Sequence, residues 1–244
     1  MVDKIIYEVL RVMDGKPIFL ESHLKRMENS FNLINEKFTL SYEKISDRIE
    51  LLIKNEKKIN GNIKITYAIN EKILNVFFVE HSYPSEKMYE NGVETILYFG
   101  ERENPNAKII NDGFREKVNK EISDKRVYEA ILVDKNGYIT EGSRSNIFMV
   151  KDDMILTSPV KAVLPGVTRG EIIKIAQELQ IQIEEVNYNY VDINKLDGMF
   201  ISGTSPKVLP IKKVNDINLN PNNNMIRKLM KEYNDKIDLY IKKH

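Results

Sequence analysis

The strongest constraint in this chain is a change of hydrophobic period within its first eighty residues. Ile63, Ile65, Tyr67 and Ile69 alternate with their neighbours, the period of two that marks a half-buried strand. Asn70-Glu71 turns the chain, and residues 73–79 run back as a second strand. Ahead of this pair the period lengthens. Leu24, Met27, Phe31 and Ile34 recur every three or four residues over 22–34, and Ile45, Ile49, Leu52 and Ile53 do so over 42–57, so two amphipathic helices are expected. Residues 2–12 alternate loosely up to Asp14-Gly15, a hairpin dipeptide, before the short apolar run 17–20.

The pattern weakens over 82–106, where Tyr83-Pro84, Asn91-Gly92 and Glu103-Asn104-Pro105-Asn106 are turn chemistry. The last of these marks the expected boundary: a small N-terminal domain over 1–103, a linker over 104–107 and a larger domain over 108–244. In the larger part, Lys108 to Asn111 is expected to open a helix, with a further helix over 114–122. Short strands are expected over 128–133, 146–150, 154–156, 199–202 and 208–211, and helices over 171–179 and 225–241. Strand and helix runs mix without regular alternation, which favours an α+β fold over a doubly wound sheet.

Composition narrows the function. Thirty-seven basic against 36 acidic residues give a net charge of +1, so no overall electrostatic pull toward nucleic acid or an anionic membrane is expected. The absence of cysteine excludes disulfides, iron–sulfur clusters and thiol catalysis, and three histidines argue against a His-rich metal site. No metal is expected. No signal-peptide pattern and no long apolar run stands in the sequence, so a cytoplasmic protein is the expectation.

The sequence holds no P-loop, no GxGxxG after a strand, no HExxH and no GxSxG. Four segments remain. In His23-Leu24-Lys25-Arg26, His23, Arg26 and Ser30 share a helix side; this is either a solvated face or an anion clamp built on a guanidinium fork. In Leu164-Pro165-Gly166-Val167-Thr168-Arg169-Gly170-Glu171, Thr168 and Glu171 have the spacing of a capping box. The same loop aims the Val167 and Thr168 N–H groups at any anion placed there. Ser202-Gly203-Thr204-Ser205-Pro206 is either a plain hairpin turn or a source of a hydroxyl and a backbone donor. The fourth segment runs from Lys108 to Asn146, where Lys108 reads as surface charge and Glu141 as a turn acid, or as chemistry.

In order, these segments resemble the class IV, fold-type IV pyridoxal-phosphate enzymes, a family of branched-chain and D-amino-acid aminotransferases and 4-amino-4-deoxychorismate lyase. Tyr7-Glu8-Val9 is similar to the family's aromatic-Glu strand, His23 to Arg26 to its HxxR helix, and Lys108 to Asn111 to its KxxN segment. The Tyr128–Val133 strand with Glu141-Gly142-Ser143-Arg144-Ser145-Asn146 resembles its EA strand and EGSxSN turn. Leu164 to Arg169 resembles its LPGxTR loop, and Ser202 to Ser205 its GT turn.

The resemblance implies a two-domain α+β fold and pyridoxal 5′-phosphate as cofactor. Lys108 would condense with the cofactor aldehyde and then carry protons as base and acid. Glu141 would keep the pyridine nitrogen protonated. The phosphate would be held by Arg26, the Val167 and Thr168 backbone, and the Gly203-Thr204 turn, with Leu164 packed on the ring and Tyr7 near the lysine on the substrate side. The implied partners are an amino acid, a 2-oxo acid and a second copy of the chain. The implied activity is amino transfer, with pyruvate-releasing lyase chemistry and a non-catalytic family member as alternatives. The chain departs from the family in three places. Tyr7 lies close to the first residue, so the family's leading strands are expected to be missing. Residues 73–83 hold no arginine for a substrate carboxylate, and Asp112-Gly113 stand where many members place a tyrosine. Arg144 is the substitute carboxylate binder that the turn offers.

Overall fold

The computed structural model describes residues 4–102, 104–110 and 112–244, so Asn111 of the KxxN segment lies outside the described residues. The chain divides into two compact units. The first comprises residues 1–82, 106–110 and 235–244, and the second 83–105 and 111–234. The segment that holds Lys108 therefore counts with the first unit.

The first unit holds strands β1 (Ile5–Met13) and β2 (Lys16–Pro17), helices α1 (Leu20–Leu33) and α2 (Tyr42–Glu56), and strands β3 (Gly61–Ala68) and β4 (Ile73–Val79). The strands form an antiparallel sheet in the order β2-β1-β3-β4. Asp14 and Gly15 both take positive φ, 49° and 77°, the backbone that a tight two-residue hairpin requires. Alternation sends Ile6, Leu10 and Val12 of β1 and Ile63, Ile65 and Tyr67 of β3 into one core. There they meet Leu24, Met27 and Phe31 of α1 and Ile45, Ile49 and Ile53 of α2. Tyr7, Val9 and Lys64 belong to the opposite face.

The second unit contains α3 (Glu86–Asn91), β5 (Val93–Phe99), α4 (Asp112–Lys125), β6 (Glu129–Val133), β7 (Ile139–Gly142), β8 (Asn146–Lys151) and β9 (Met154–Thr157). It continues with α5 (Val167–Glu178), β10 (Ile183–Glu185), β11 (Gly198–Gly203), β12 (Lys207–Val214) and β13 (Ile217–Asn218), and α6 (Asn224–Lys243) starts within it. The sheet order is β10-β9-β8-β11-β12-β5-β6-β7. Because β7 also pairs with β8, the path β8-β11-β12-β5-β6-β7 returns on itself and closes. A closed sheet leaves no edge along that path and fills its interior with side chains, here Ile131, Ile139, Ile147, Met149, Met199, Ile201, Leu209 and Ile211. The closing pair is Glu141 opposite Asn146.

Two expectations of local structure are corrected. Lys108 to Ile110 is extended rather than the start of a helix, because Ile109 bridges Ile6 and the Ile110 N–H reaches the Ile5 carbonyl at 3.2 Å. Within 82–106, where the pattern weakens and no element is expected, the chain forms α3 and β5. The pairing of β5 with β6 and β12 supplies what its own pattern does not advertise. Among the described residues no helix is long and apolar enough to cross a membrane.

Candidate active site

In the first unit the site begins with a charge on the wrong face of a strand. Glu8 points to the apolar side of β1, between Ile6 and Leu10, and is fully buried. Burial of a carboxylate is costly unless donors meet both oxygens. They come from α1, where His23 and Arg26 stand one turn apart. Arg26 donates from Nε to Glu8 Oε1 at 2.8 Å and from Nη2 to Oε2 at 2.6 Å, while His23 Nδ1 lies 2.9 Å from Oε2. Burial pushes the Glu8 carboxyl up, but Arg26 and His23 together override it and hold the group at about 2. Burial pushes the His23 imidazole below its ordinary value of 6.5, against the pull of Glu8 and with Arg26 and Lys108 repelling the added charge. The neutral ring donates from Nδ1, given an ionised Glu8 beside it.

One turn further along α1, Ser30 ties this cluster to Lys108. Its hydroxyl donates to the Arg26 carbonyl at 3.0 Å and accepts the Lys108 N–H at 3.2 Å. The Lys108 carbonyl in turn accepts the Tyr7 N–H at 3.0 Å. The main chain of Lys108 is thus pinned on both sides, and its amine lies 4.7 Å from the centre of the Tyr7 ring.

In the second unit two acids organise the corresponding group. Glu129, first in β6, is a buried carboxylate surrounded by neutral donors. It receives the Ser143 N–H and Oγ at 3.1 and 2.5 Å, the Arg144 N–H at 3.3 Å and the Ser145 Oγ at 3.0 Å. A Cβ on Gly142 would collide with the Ser145 hydroxyl and press on the Glu129 carboxyl. The Gly-Ser-x-Ser pattern is what the buried acid demands.

Glu141, just before that turn, is 3% exposed. Its Oε1 accepts Arg102 Nη1 at 3.1 Å and its Oε2 accepts the Leu164 N–H at 2.9 Å. Asn146 holds the neighbouring pieces together. It pairs across the strands with both Glu141 and Ser202, its Nδ2 donates to the Leu164 carbonyl at 2.9 Å, and its amide oxygen occupies the space a Cβ on Gly166 would need. Thus Glu141, Leu164, Gly166 at the head of α5, and Ser202 just ahead of the Gly203-Thr204 turn meet at one asparagine. The Ser202 hydroxyl, beside that turn, is buried and finds no hydrogen-bond partner among the described residues.

The capping box expected at Thr168 and Glu171 is not formed. Helix α5 begins at Val167 with Gly166 as its N-cap and no side-chain cap, so Thr168 already lies inside the first turn. Its hydroxyl meets the Tyr233 hydroxyl at 3.2 Å instead, and Glu171 accepts Lys174 Nζ at 2.6 Å. Arg169 is buried against Ser158 and Glu185 and holds the loop rather than facing solvent. Arg144 is exposed and donates to Asn119 of α4 at 2.6 Å.

The structure therefore brings Tyr7, Arg26 and Lys108 together in the first unit; in the second it joins Glu141 to Leu164, with Val167 and Thr168 following Gly166, and Gly203 and Thr204 following Ser202. Sequence reasoning assigns no part to Glu129 or Arg102, nor to the carboxylate of Glu8, and it places Ser30 on the helix side of His23 and Arg26 without linking it to Lys108. For Glu8 and Glu129 a signal existed, an acid in an otherwise apolar strand. For Arg102 none did.

Over 214 residues the chain is 28% identical to a Thermotoga maritima protein named as a probable branched-chain-amino-acid aminotransferase, covering 86% of this chain and 77% of that one. Among solved structures, a T.th. branched-chain amino acid aminotransferase with pyridoxamine 5′-phosphate superposes with a TM-score of 0.82 at 19% identity, covering 96% of this chain and 85% of that one. A Legionella pneumophila protein provisionally named 4-amino-4-deoxychorismate lyase gives 0.85 at 20% identity, with coverages of 95% and 90%. At such identities the last two likenesses are of fold. The model of the family described as amino-transferase class IV matches residues 5–214, and the chain belongs to that family.

Proposed function

We propose that this chain is a pyridoxal-phosphate-dependent aminotransferase that exchanges an amino group between an amino acid and a 2-oxo acid. The observation that carries the reading is Lys108, with its main chain fixed from both sides and its amine on an aromatic face, in a chain of the class IV family.

The residues present fit the cofactor. Glu141 is a buried carboxylate with both oxygens oriented, suited to accept a hydrogen bond from a ring nitrogen and keep the proton there. The first turn of α5 offers the Val167 and Thr168 N–H groups to a phosphate, and the unpartnered Ser202 hydroxyl lies beside the Gly203-Thr204 turn proposed to share that task. Arg26, oriented by Glu8, adds a fixed positive charge, and Leu164, held at both its N–H and its carbonyl, is the residue proposed to cover the ring.

When bound, pyridoxal phosphate supplies an aldehyde that takes up amines and a ring that accepts an electron pair from the substrate α-carbon. Lys108 would be the base that takes the proton from the substrate α-carbon and the acid that gives it back. Ser30 and the Tyr7 N–H keep the lysine backbone still while its side chain moves, and Tyr7 stands on the substrate side of the amine. The reading includes a cytoplasmic homodimer, which light scattering checks.

The test is a half-reaction. Protein loaded with pyridoxal phosphate is mixed with single amino donors, starting with the branched-chain amino acids that the relatives' names suggest, in both hands and alongside alanine and glutamate. Loss of the visible cofactor band with release of the matching 2-oxo acid is the expected result. Release of pyruvate from aminodeoxychorismate with no acceptor present would instead mark lyase chemistry, and a colourless protein that binds no cofactor would mark a non-catalytic chain.

A further inference from the structure

We infer that Tyr89 is a positioning residue for the cofactor phosphate: its hydroxyl, seconded by the Asn234 amide, fixes the Gly203-Thr204 turn from behind. The assignment rests on the aminotransferase reading above and deepens it. Gly203 of β11 pairs with Lys207 of β12, so Thr204, Ser205 and Pro206 form a three-residue hairpin loop. Short loops of this kind bring one residue into the left-handed region, which favours glycine. Here Lys207 takes that place, at φ 54°. A residue with a side chain persists there only where its surroundings hold it.

Two groups outside the loop supply that hold. The Tyr89 hydroxyl, on α3, donates to the Pro206 carbonyl at 3.1 Å. Lys207 Nζ donates to Asn234 Oδ1 of α6 at 2.9 Å. Tyr89 is itself a fixed point, because its ring packs on the core of the closed sheet and Arg227 donates to its carbonyl at 2.6 Å. Pro206 folds back toward Gly203, where a Cβ would come within 3.3 Å of its ring. A shift of Pro206 therefore reaches the backbone that carries Thr204.

Close packing is not what holds the turn on this side. Tyr89, Lys207 and Asn234 line a cavity of about 300 Å³, with Val208 and Met230 as its apolar part. Beside an open space directional bonds set position, and loss of the one from Tyr89 lets the turn move without a clash. Asn234 also follows Tyr233, whose hydroxyl meets that of Thr168 in the first turn of α5. Neighbouring residues of α6 thus touch both segments proposed for the phosphate.

The experiment compares wild type, Tyr89→Phe and Asn234→Ala as full-length cofactor-free proteins, each checked for folding by its melting temperature. The readout is the dissociation constant of pyridoxal phosphate against that of pyridoxal, which lacks the phosphate. Tyr89→Phe keeps the ring and loses only the hydroxyl. It is expected to weaken pyridoxal phosphate about fivefold and pyridoxal by less than about twofold. Asn234→Ala, at the exposed tether, is expected to weaken pyridoxal phosphate about twofold with the same preference. Equal weakening of both aldehydes makes Tyr89 an ordinary packing residue, and unchanged affinity for both shows that the turn holds itself. Either result overturns the assignment and leaves the aminotransferase reading standing. If Tyr89→Phe does not fold, Asn234→Ala decides by the same comparison. A wild type that binds both aldehydes equally well overturns the assignment alone, and one that takes up neither overturns the aminotransferase reading and the assignment with it.

Discussion

Glu8 and Glu129 are both carboxylates buried in strands, and the two units neutralise them by opposite means. Glu8 is held by a guanidinium and an imidazole, two partners carrying most of the interaction. Glu129 is held by two hydroxyls and two backbone N–H groups from one turn and by the N–H of Ala130, five donors that share the interaction. The first arrangement is concentrated and responds to pH. The second is distributed, tolerates loss of one member, and turns a buried charge into a template for a loop. In each case the acid shapes the segment next to a proposed reacting residue: Lys108 through Ser30 on α1, and Glu141 through the Gly142–Ser145 turn.

The largest expected effect is at Glu8. Glu8→Ala leaves Arg26 and His23 buried without their counter-charge, so a loss of about 3–5 kcal/mol is expected in urea unfolding. A loss under about 1 kcal/mol would show that the cluster is solvated after all and would dissolve the contrast. Glu129→Gln places an amide where five donors converge; about 2–3 kcal/mol is expected by the same measurement. Ser145→Ala removes one of those donors and should cost only about 1 kcal/mol, since the acid keeps its other partners. A Ser145→Ala protein as unstable as Glu129→Gln would mean that the interaction is not distributed.

The smallest effect at neutral pH is at His23. Its folded-state pKa lies below 6.5, so the unfolded chain binds a proton first as pH falls, and stability present above about 6.5 declines below it. Glu8 acts in the same direction at lower pH, because its carboxyl is held at about 2 in the folded protein against 4.5, and its contribution is lost from about 4.5 downward. His23→Asn keeps a donor but cannot titrate. Its stability should stay level between about pH 6.5 and 5 while the wild type declines, as followed by melting temperature against pH. A wild-type slope that survives in His23→Asn would assign that titration elsewhere.

Much of the first unit was legible because its signals are local. The helical spacing of Leu24, Met27 and Phe31 and the alternation of Ile63, Ile65 and Tyr67 each report a single element meeting a single core. The second unit was less legible. Strand β5 owes its place to partners more than thirty residues away in sequence, and Thr168 resembles a cap because capping chemistry and first-turn chemistry use the same residue types. For the candidate site, motif order pointed to Lys108 and Glu141, but not to what holds them. Arg102 is one basic residue in a turn until the fold brings it to Glu141.

The central claim is that Lys108 is the amine that carries the cofactor. Reduction of the pyridoxal-phosphate-loaded protein with borohydride, followed by proteolysis and mass mapping, tests it directly. The account predicts a phosphopyridoxyl group on the peptide containing Lys108 and its disappearance in Lys108→Ala. A modification placed reproducibly on another lysine, Lys64 included, or a protein that reduces without any label, would contradict it.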